Sequence, residues 1–189
     1  MVKDLWQTKR SIMKEYDLTA KNYDLRYREE QLKKYDAVLS RINAVKRGAV
    51  LDVGCGTGML AERLAGSASC VVAIDFSKAI LKKAGDRCKA LHNVFFICGD
   101  ADHLPLKRDA FDNVFAFTLL QNVPEPTRTV EELVRVAKHG SWLAISCLKK
   151  KYTEIELTDL VKVSNLRLLE LMDYDYLKDY ILICKKGAH

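Results

Sequence analysis

An α/β fold is predicted for this 189-residue chain: a doubly wound, seven-stranded, mostly parallel sheet with a C-terminal antiparallel hairpin. Three observations predict it. Between residues 49 and 112, short apolar runs alternate with amphipathic segments, the pattern of βαβ units around a parallel sheet. One of those runs, Val50, Leu51, Asp52 and Val53, leads straight into Gly54, Gly56 and Gly58 and then into a helical stretch. Near the C-terminus, residues 166–172 and 176–184 read as a closing antiparallel pair.

Taken in order, residues 29–45 put Leu32, Tyr35, Val38, Leu39, Ile42 and Val45 on one helical stripe. The residues before them are polar, tyrosine-rich and less regular, and this segment is expected over the active edge of the sheet. The first strand is 49–53, and a helix over 59–65 follows, with Gly66 as its stop. The second strand is 70–74. Ser77 caps the next helix with its hydroxyl, and Ile80, Ala84 and Cys88 recur every four residues to face the core. Residues 94–98 form the third strand and 111–117 the fourth. A helix over 127–138 carries Val130, Leu133, Val134 and Ala137 on one face and ends at His139 and Gly140. The fifth strand is 141–148, and a short helix is expected over 155–163, ahead of the closing pair. One domain is expected, with residues 1–48 as a helical cap segment and 49–189 as the core.

With 49% apolar residues, the chain can bury one substantial core. Its longest apolar stretches, 114–120 and 142–148, fall far short of the roughly 20 residues that cross a bilayer. The first residues show no apolar run followed by a cleavage site, so a cytoplasmic location is expected. The six cysteines, Cys55, Cys70, Cys88, Cys98, Cys147 and Cys184, are scattered and lack a Cys-x-x-Cys pair or histidine cluster. Reduced, mostly buried thiols and no metal site are therefore expected. The net charge of +6 favours anionic partners, including nucleic acid, although lysine pairs at element ends are ordinary solvated surface.

The glycine turn carries the sharpest chemical signal. Glycines make the turn tight and let a ligand lie against the backbone. Asp75 ends the second strand about 20 residues on, where a carboxylate takes the two hydroxyls of a ribose. A dinucleotide site wants a glycine where Met59 stands, and Asp52, aimed at the turn, would repel a pyrophosphate. The arrangement suits a nucleoside cofactor that carries an ammonium group.

The series Asp52, Gly54, Gly56 and Gly58, then Asp75, then Gly99, Asp100 and Ala101, resembles the class I S-adenosylmethionine-dependent methyltransferases over residues 16–185. The resemblance implies S-adenosylmethionine as cofactor and S-adenosylhomocysteine as its product. It also implies that Asp52 with Gly54, Cys55 and Gly56 forms the floor for the methionine part, and that Asp75 holds the ribose. Phe76 would pack on the adenine, Asp100 would accept from its amino group, and the Ala101 amide would meet a ring nitrogen. Thr118 and Leu119 would complete the methionine pocket. The lead-in from Tyr16 to Asp24 resembles that of small enzymes of the group that contains quinone-biosynthesis and tRNA-wobble methyltransferases, in which a tyrosine folds over the cofactor. Tyr23 is the first candidate for that role and Tyr16 the second.

After the fourth strand, Leu120, Gln121, Asn122, Val123, Pro124, Glu125 and Pro126 resemble the His-His-Val-Pro-Asp-Pro loop of the quinone-type group, with Gln121 and Asn122 replacing the histidines. That change removes the obvious general base. Gln121 and Asn122 remain candidates to orient an acceptor, and His103 is a candidate base by position. Only residues 149–165 separate the fifth strand from the closing pair, so the cleft is expected to be open. An open cleft and a basic surface lean toward RNA or a translation-related protein as acceptor, with a quinone-like or phenolic small molecule as the alternative. A non-catalytic cofactor-binding protein is the third reading. Some relatives of this shape need a small zinc-containing activator subunit, and no membrane partner is expected.

Overall fold

The structure is a computed structural model that describes residues 4–19, 23–42 and 48–187. Among them are seven strands, β1 (Ala49–Val53), β2 (Cys70–Asp75), β3 (Val94–Cys98), β4 (Phe111–Phe117), β5 (Ala137–Leu148), β6 (Leu166–Met172) and β7 (Asp179–Lys186). They form one sheet in the order β3-β2-β1-β4-β5-β7-β6. Pairing is parallel from β3 to β5 and antiparallel for β5 with β7 and β7 with β6. The described helices are α1 (Leu5–Thr19), α2 (Tyr23–Leu39), α3 (Met59–Leu64), α4 (Lys78–Cys88), α5 (Pro126–Val136) and α6 (Glu154–Val163).

Side chains alternate along each strand, and both faces of the sheet are covered. Leu51, Val114, Leu143, Ile145 and Leu182 point to the face packed by Leu133 and Val136 of α5 and Leu157 and Val161 of α6. Val50, Phe115, Ala144, Ile181 and Ile183 point to the other face, under Tyr35 and Val38 of α2 and Leu60 and Leu64 of α3. Burial on both faces is why these strands read as continuous apolar runs. Because β1 lies between β2 and β4, the connections after β1 and after β3 leave in opposite directions, and a crevice opens beyond the C-terminal ends of the strands.

Three expectations are corrected. The described residues before position 29 are more regular than expected: α1 runs over fifteen residues, and α2 begins at Tyr23, ahead of the apolar stripe that announced it. Val45, the last expected position of that stripe, lies outside the described residues. At β5, the strand begins at Ala137, and His139 and Gly140 sit inside it instead of ending a helix. Phe111 pairs with Ala137 and Asn113 with Trp142, so the intervening stretch bulges out, with Gly140 at φ +74°. β7 runs from Asp179 to Lys186, leaving Tyr176 in the preceding turn. The cysteines are mostly buried, in line with expectation: Cys55, Cys88, Cys147 and Cys184 are buried, Cys70 is half-buried and Cys98 is exposed on the edge strand, and all six are free thiols. No helix among the described residues is long and apolar enough to cross a membrane.

Candidate active site

The turn after β1 is built for close approach. Gly54 and Gly56 have φ of +72° and +55°, a region strained for any residue with a β-carbon. A β-carbon on Gly54 would also come within 3.0 Å of Leu119 Cδ1. The backbone N–H groups of Gly54 and Cys55 both donate to the Ile74 carbonyl, at 2.8 and 3.0 Å, pinning the turn to the end of β2. A cleft opens over it, with about 780 Å³ of empty space that runs into open solvent.

Most of the residues singled out in the sequence converge here. Gly54, Gly56, Asp75, Phe76, Asp100, Ala101 and Thr118 all line the cleft. Asp75 is fixed by backbone donors: Oδ2 accepts from Gly56 N at 3.0 Å and Oδ1 from Ser77 N at 2.9 Å. Burial raises its pKa from the ordinary carboxylate value, and those amides pull the other way. Asp52 and Cys55 line a smaller adjoining cavity under the turn, together with Gln31. Asp52 is 3% exposed, and its Oδ2 has no hydrogen-bond partner. Burial, and then the charge of Asp75, push the Asp52 carboxyl up to about 8. Burial likewise pushes the Cys55 thiol well up. Tyr23 opens α2, but its side chain lies outside the described residues.

The cleft is not bare, as the short segment after β5 had suggested. Helix α1 covers it with Lys9, Ile12, Met13 and Tyr16. It is latched to three of the loops that shape the cleft. Lys9 Nζ lies 2.6 Å from Asp100 Oδ2 and 2.7 Å from Asp102 Oδ2. Asp17 accepts from the Ser77 hydroxyl, and Asn122 Nδ2 donates to the Tyr16 hydroxyl at 2.7 Å. The second-ranked tyrosine of the sequence is therefore the one seen over the cleft. Burial, and then the charge of Asp75, push its phenol up to about 12. Lys9 had no signal in the sequence, because a lysine on a polar helix reads as solvated surface.

The weaker candidates separate. Asn122 lines the cleft, and its amide also donates to the Thr118 carbonyl at 3.1 Å. Gln121 turns its Nε2 onto the same carbonyl at 2.5 Å and does not line the cleft. His103 is 67% exposed at the side chain, 4.0 Å from Asp100, and also outside the lining. Asp112, near the start of β4, accepts from Ala49 N and from Lys138 Nζ and lies outside the cleft lining.

Beneath the mouth of β4 lies a polar cluster that sequence reasoning missed. Lys34 and Asp179, 1% and 0% exposed, pair at 3.1 Å. Lys34 Nζ also donates to Thr118 Oγ1 at 2.5 Å, and Thr118 Oγ1 donates to Asp179 Oδ2 at 2.9 Å. The Ser146 hydroxyl donates to the same oxygen at 2.7 Å. Thr118 sits at φ +54°, an outlier for a β-branched residue, and this cluster holds it there.

Residues 51–145 match the methyltransferase domain family. The chain belongs to the class I S-adenosylmethionine-dependent methyltransferases. Among its relatives in this family is malonyl-[acyl-carrier protein] O-methyltransferase of Marinomonas sp. (strain MWYL1), 34% identical over 146 residues, which cover 75% of this chain and 53% of that protein. Demethylmenaquinone methyltransferase of Renibacterium salmoninarum is 34% identical over 152 residues, covering 76% and 63%. The chain thus spans between half and two thirds of the length of these relatives. A methyltransferase in complex with the Haloferax volcanii Trm112 methyltransferase activator shares the fold, with a TM-score of 0.82 at 16% identity over 94% of this chain and 98% of that one. The relatives' names specify a quinone and a carrier-bound malonyl group, so the lean toward RNA finds no support in them.

The family's cofactor fits the groups present. Asp52 offers a buried, unpartnered acceptor to an ammonium, and the bare backbone at Gly54 leaves room that a β-carbon would fill. Asp75 and Asp100 line the cleft with lone pairs to spare beyond the backbone and Lys9 contacts they already make, since a carboxylate accepts about four hydrogen bonds in all.

Proposed function

We propose that the chain transfers the methyl group of S-adenosylmethionine to a small-molecule acceptor that presents an already anionic oxygen, such as a carboxylate or an ionised phenol. The observation that carries the cofactor half is the unpartnered Asp52 carboxylate beside the glycine turn, with Asp75 fixed by backbone amides across the cleft. In this reading Asp52 faces the ammonium, Asp75 the ribose hydroxyls, Phe76 the adenine face, and Asp100 and the Ala101 amide its edge. Gly54, Cys55 and Gly56 supply the floor, and Thr118 closes the methionine end.

When bound, the cofactor supplies an electrophilic methyl on a sulfonium, which leaves as a neutral thioether. The protein's task is alignment, with the acceptor atom held about 3 to 3.5 Å from the methyl carbon. Asn122 and Tyr16 flank the mouth of β4, and Ile12, Met13, Leu119 and Val123 make the walls around them apolar. Among the described residues lining this mouth there is no histidine, and a phenol raised to about 12 is no base at neutral pH. The carboxylates among the described lining residues, Asp75 and Asp100, are taken up by the cofactor in this reading, which favours an acceptor that needs no proton removed, such as a carboxylate. The quinone named for one relative supports the small-molecule class, and the malonyl group named for the other, though carried by a protein, presents a carboxylate.

The test is transfer of radiolabelled methyl from S-adenosylmethionine into cell extract separated into RNA, protein and small-molecule fractions, with Asp75→Ala as control. Label is expected in small molecules, lost with the variant, and stable only as an ester or ether. Label in RNA or protein would overturn the acceptor, and cofactor binding without label in any fraction would favour a non-catalytic binding protein. A small activator subunit belongs to the same reading, supported by the complex of the fold neighbour. Adding a zinc-containing activator of that kind is expected to raise the transfer rate and to co-elute with the chain on gel filtration.

A further inference from the structure

The small cavity under the glycine turn is lined by Asp52 and by Gln31 of α2. Each carries a buried oxygen with no hydrogen-bond partner, Asp52 Oδ2 and Gln31 Oε1, and the residues are 3% and 6% exposed. A buried acceptor left unmade is costly, so two beside one cavity call for a donor from a ligand.

The orientation of the Gln31 amide is fixed by proton bookkeeping at Thr118. A hydroxyl has one proton to give and two lone pairs. At Thr118 the proton goes to Asp179 Oδ2, at 2.9 Å, and one lone pair takes Lys34 Nζ, at 2.5 Å. Only a lone pair remains for Gln31, so its Nε2 must face Thr118, at 3.4 Å, and Oε1 must turn away from it. Lys34 and Asp179 thereby decide which end of the Gln31 amide is left for the cavity.

We propose that Gln31 is a second recognition group for the ammonium of the cofactor's methionine end, acting with Asp52, and that Thr118, Lys34 and Asp179 are the residues that position it. Two buried acceptors without hydrogen-bond partners at one cavity suit a group rich in N–H and positively charged, and a primary ammonium offers three donors. The cluster thus ties the mouth of β4, where the acceptor arrives, to the floor that grips the cofactor. The proposal rests on the reading that the cleft takes S-adenosylmethionine.

Titration calorimetry with two ligands tests it: S-adenosylhomocysteine, and 5′-methylthioadenosine, which keeps the nucleoside and thioether but lacks the amino-acid end. Gln31→Met is expected to weaken S-adenosylhomocysteine by about tenfold or more, the scale of a hydrogen bond to a charged group, while methylthioadenosine stays within about twofold. Gln31→Asn, which draws the amide back by one methylene, gives the same selective loss and serves if the methionine variant melts early. Unchanged affinity for S-adenosylhomocysteine, or an equal loss of both ligands, overturns the role of Gln31. Wild-type protein that binds neither ligand overturns instead the cofactor reading beneath it.

Discussion

Asp52 shows how a single residue's position sets a measurable property. Its carboxyl is held at about 8 by burial and by Asp75, above the ordinary value near 3.8. A folded-state pKa above the unfolded one means that the folded chain binds the proton more tightly between those two values. Stability therefore falls as pH rises through that window and levels off above it. Asp52→Asn removes the titration, so its melting temperature is expected to exceed that of wild type at about pH 8.5, with the gap closing toward about pH 4.5. An ammonium placed beside Asp52 draws its pKa back down. Uptake of S-adenosylhomocysteine near pH 7 is then expected to release a proton, visible as a dependence of the binding heat on the buffer's ionisation enthalpy. If the asparagine variant shows the same dependence, the proton comes from another group.

Element by element, legibility in the sequence followed burial. β1 and β4 lie where their apolar runs placed them, because a strand covered on both faces has no other way to read. Ser77 caps α4 as expected, accepting from Ile80 N at 3.1 Å. Helix α6 begins at a complete capping box, with Thr153 Oγ1 accepting from Glu156 N and Glu156 Oε2 accepting from Thr153 N. Thr153→Ala is expected to cost about 1 kcal/mol, a drop of about 2 to 4 °C in melting temperature. α6 packs on the sheet through Leu157 and Val161 and contributes nothing to the cleft lining, so affinity for S-adenosylhomocysteine should not change. A binding loss in that variant would mean that α6 reaches the site. Helix α1 fell inside the helical cap expected over residues 1–48, but no periodicity in the sequence marked its bounds. Its ends meet the Ser77, Asp100 and Asn122 loops through polar side chains, and polar contacts leave no periodic apolar trace.

On the scale of the whole molecule, the Lys34 and Asp179 pair joins α2 to β7 across residues far apart in the chain. Burial lowers the Lys34 pKa, and the Asp179 charge only partly restores it. Removing one partner strands a charge in the interior, so Lys34→Met is expected to destabilise by about 3 to 5 kcal/mol. The double variant Lys34→Met with Asp179→Asn should lose less than Lys34→Met alone; additive losses in urea unfolding would show that the two groups are not coupled. Sequence spacing did hold a trace of this cluster. Gln31, Lys34, Tyr35 and Val38 recur at helical intervals, which puts the two polar residues on the buried face, but a glutamine and a lysine there have no visible partner until β7 is in place. The sequence by itself determined the sheet, the glycine turn and the carboxylates at the strand ends, because these follow from local apolar runs, backbone conformation and short spacings. Only the tertiary structure decided that α1 roofs the cleft, that Tyr16 stands over it, and that Lys34, Asp179 and Thr118 set the Gln31 amide. Those are long-range polar contacts, and their energy depends on partners that the chain brings together only when folded.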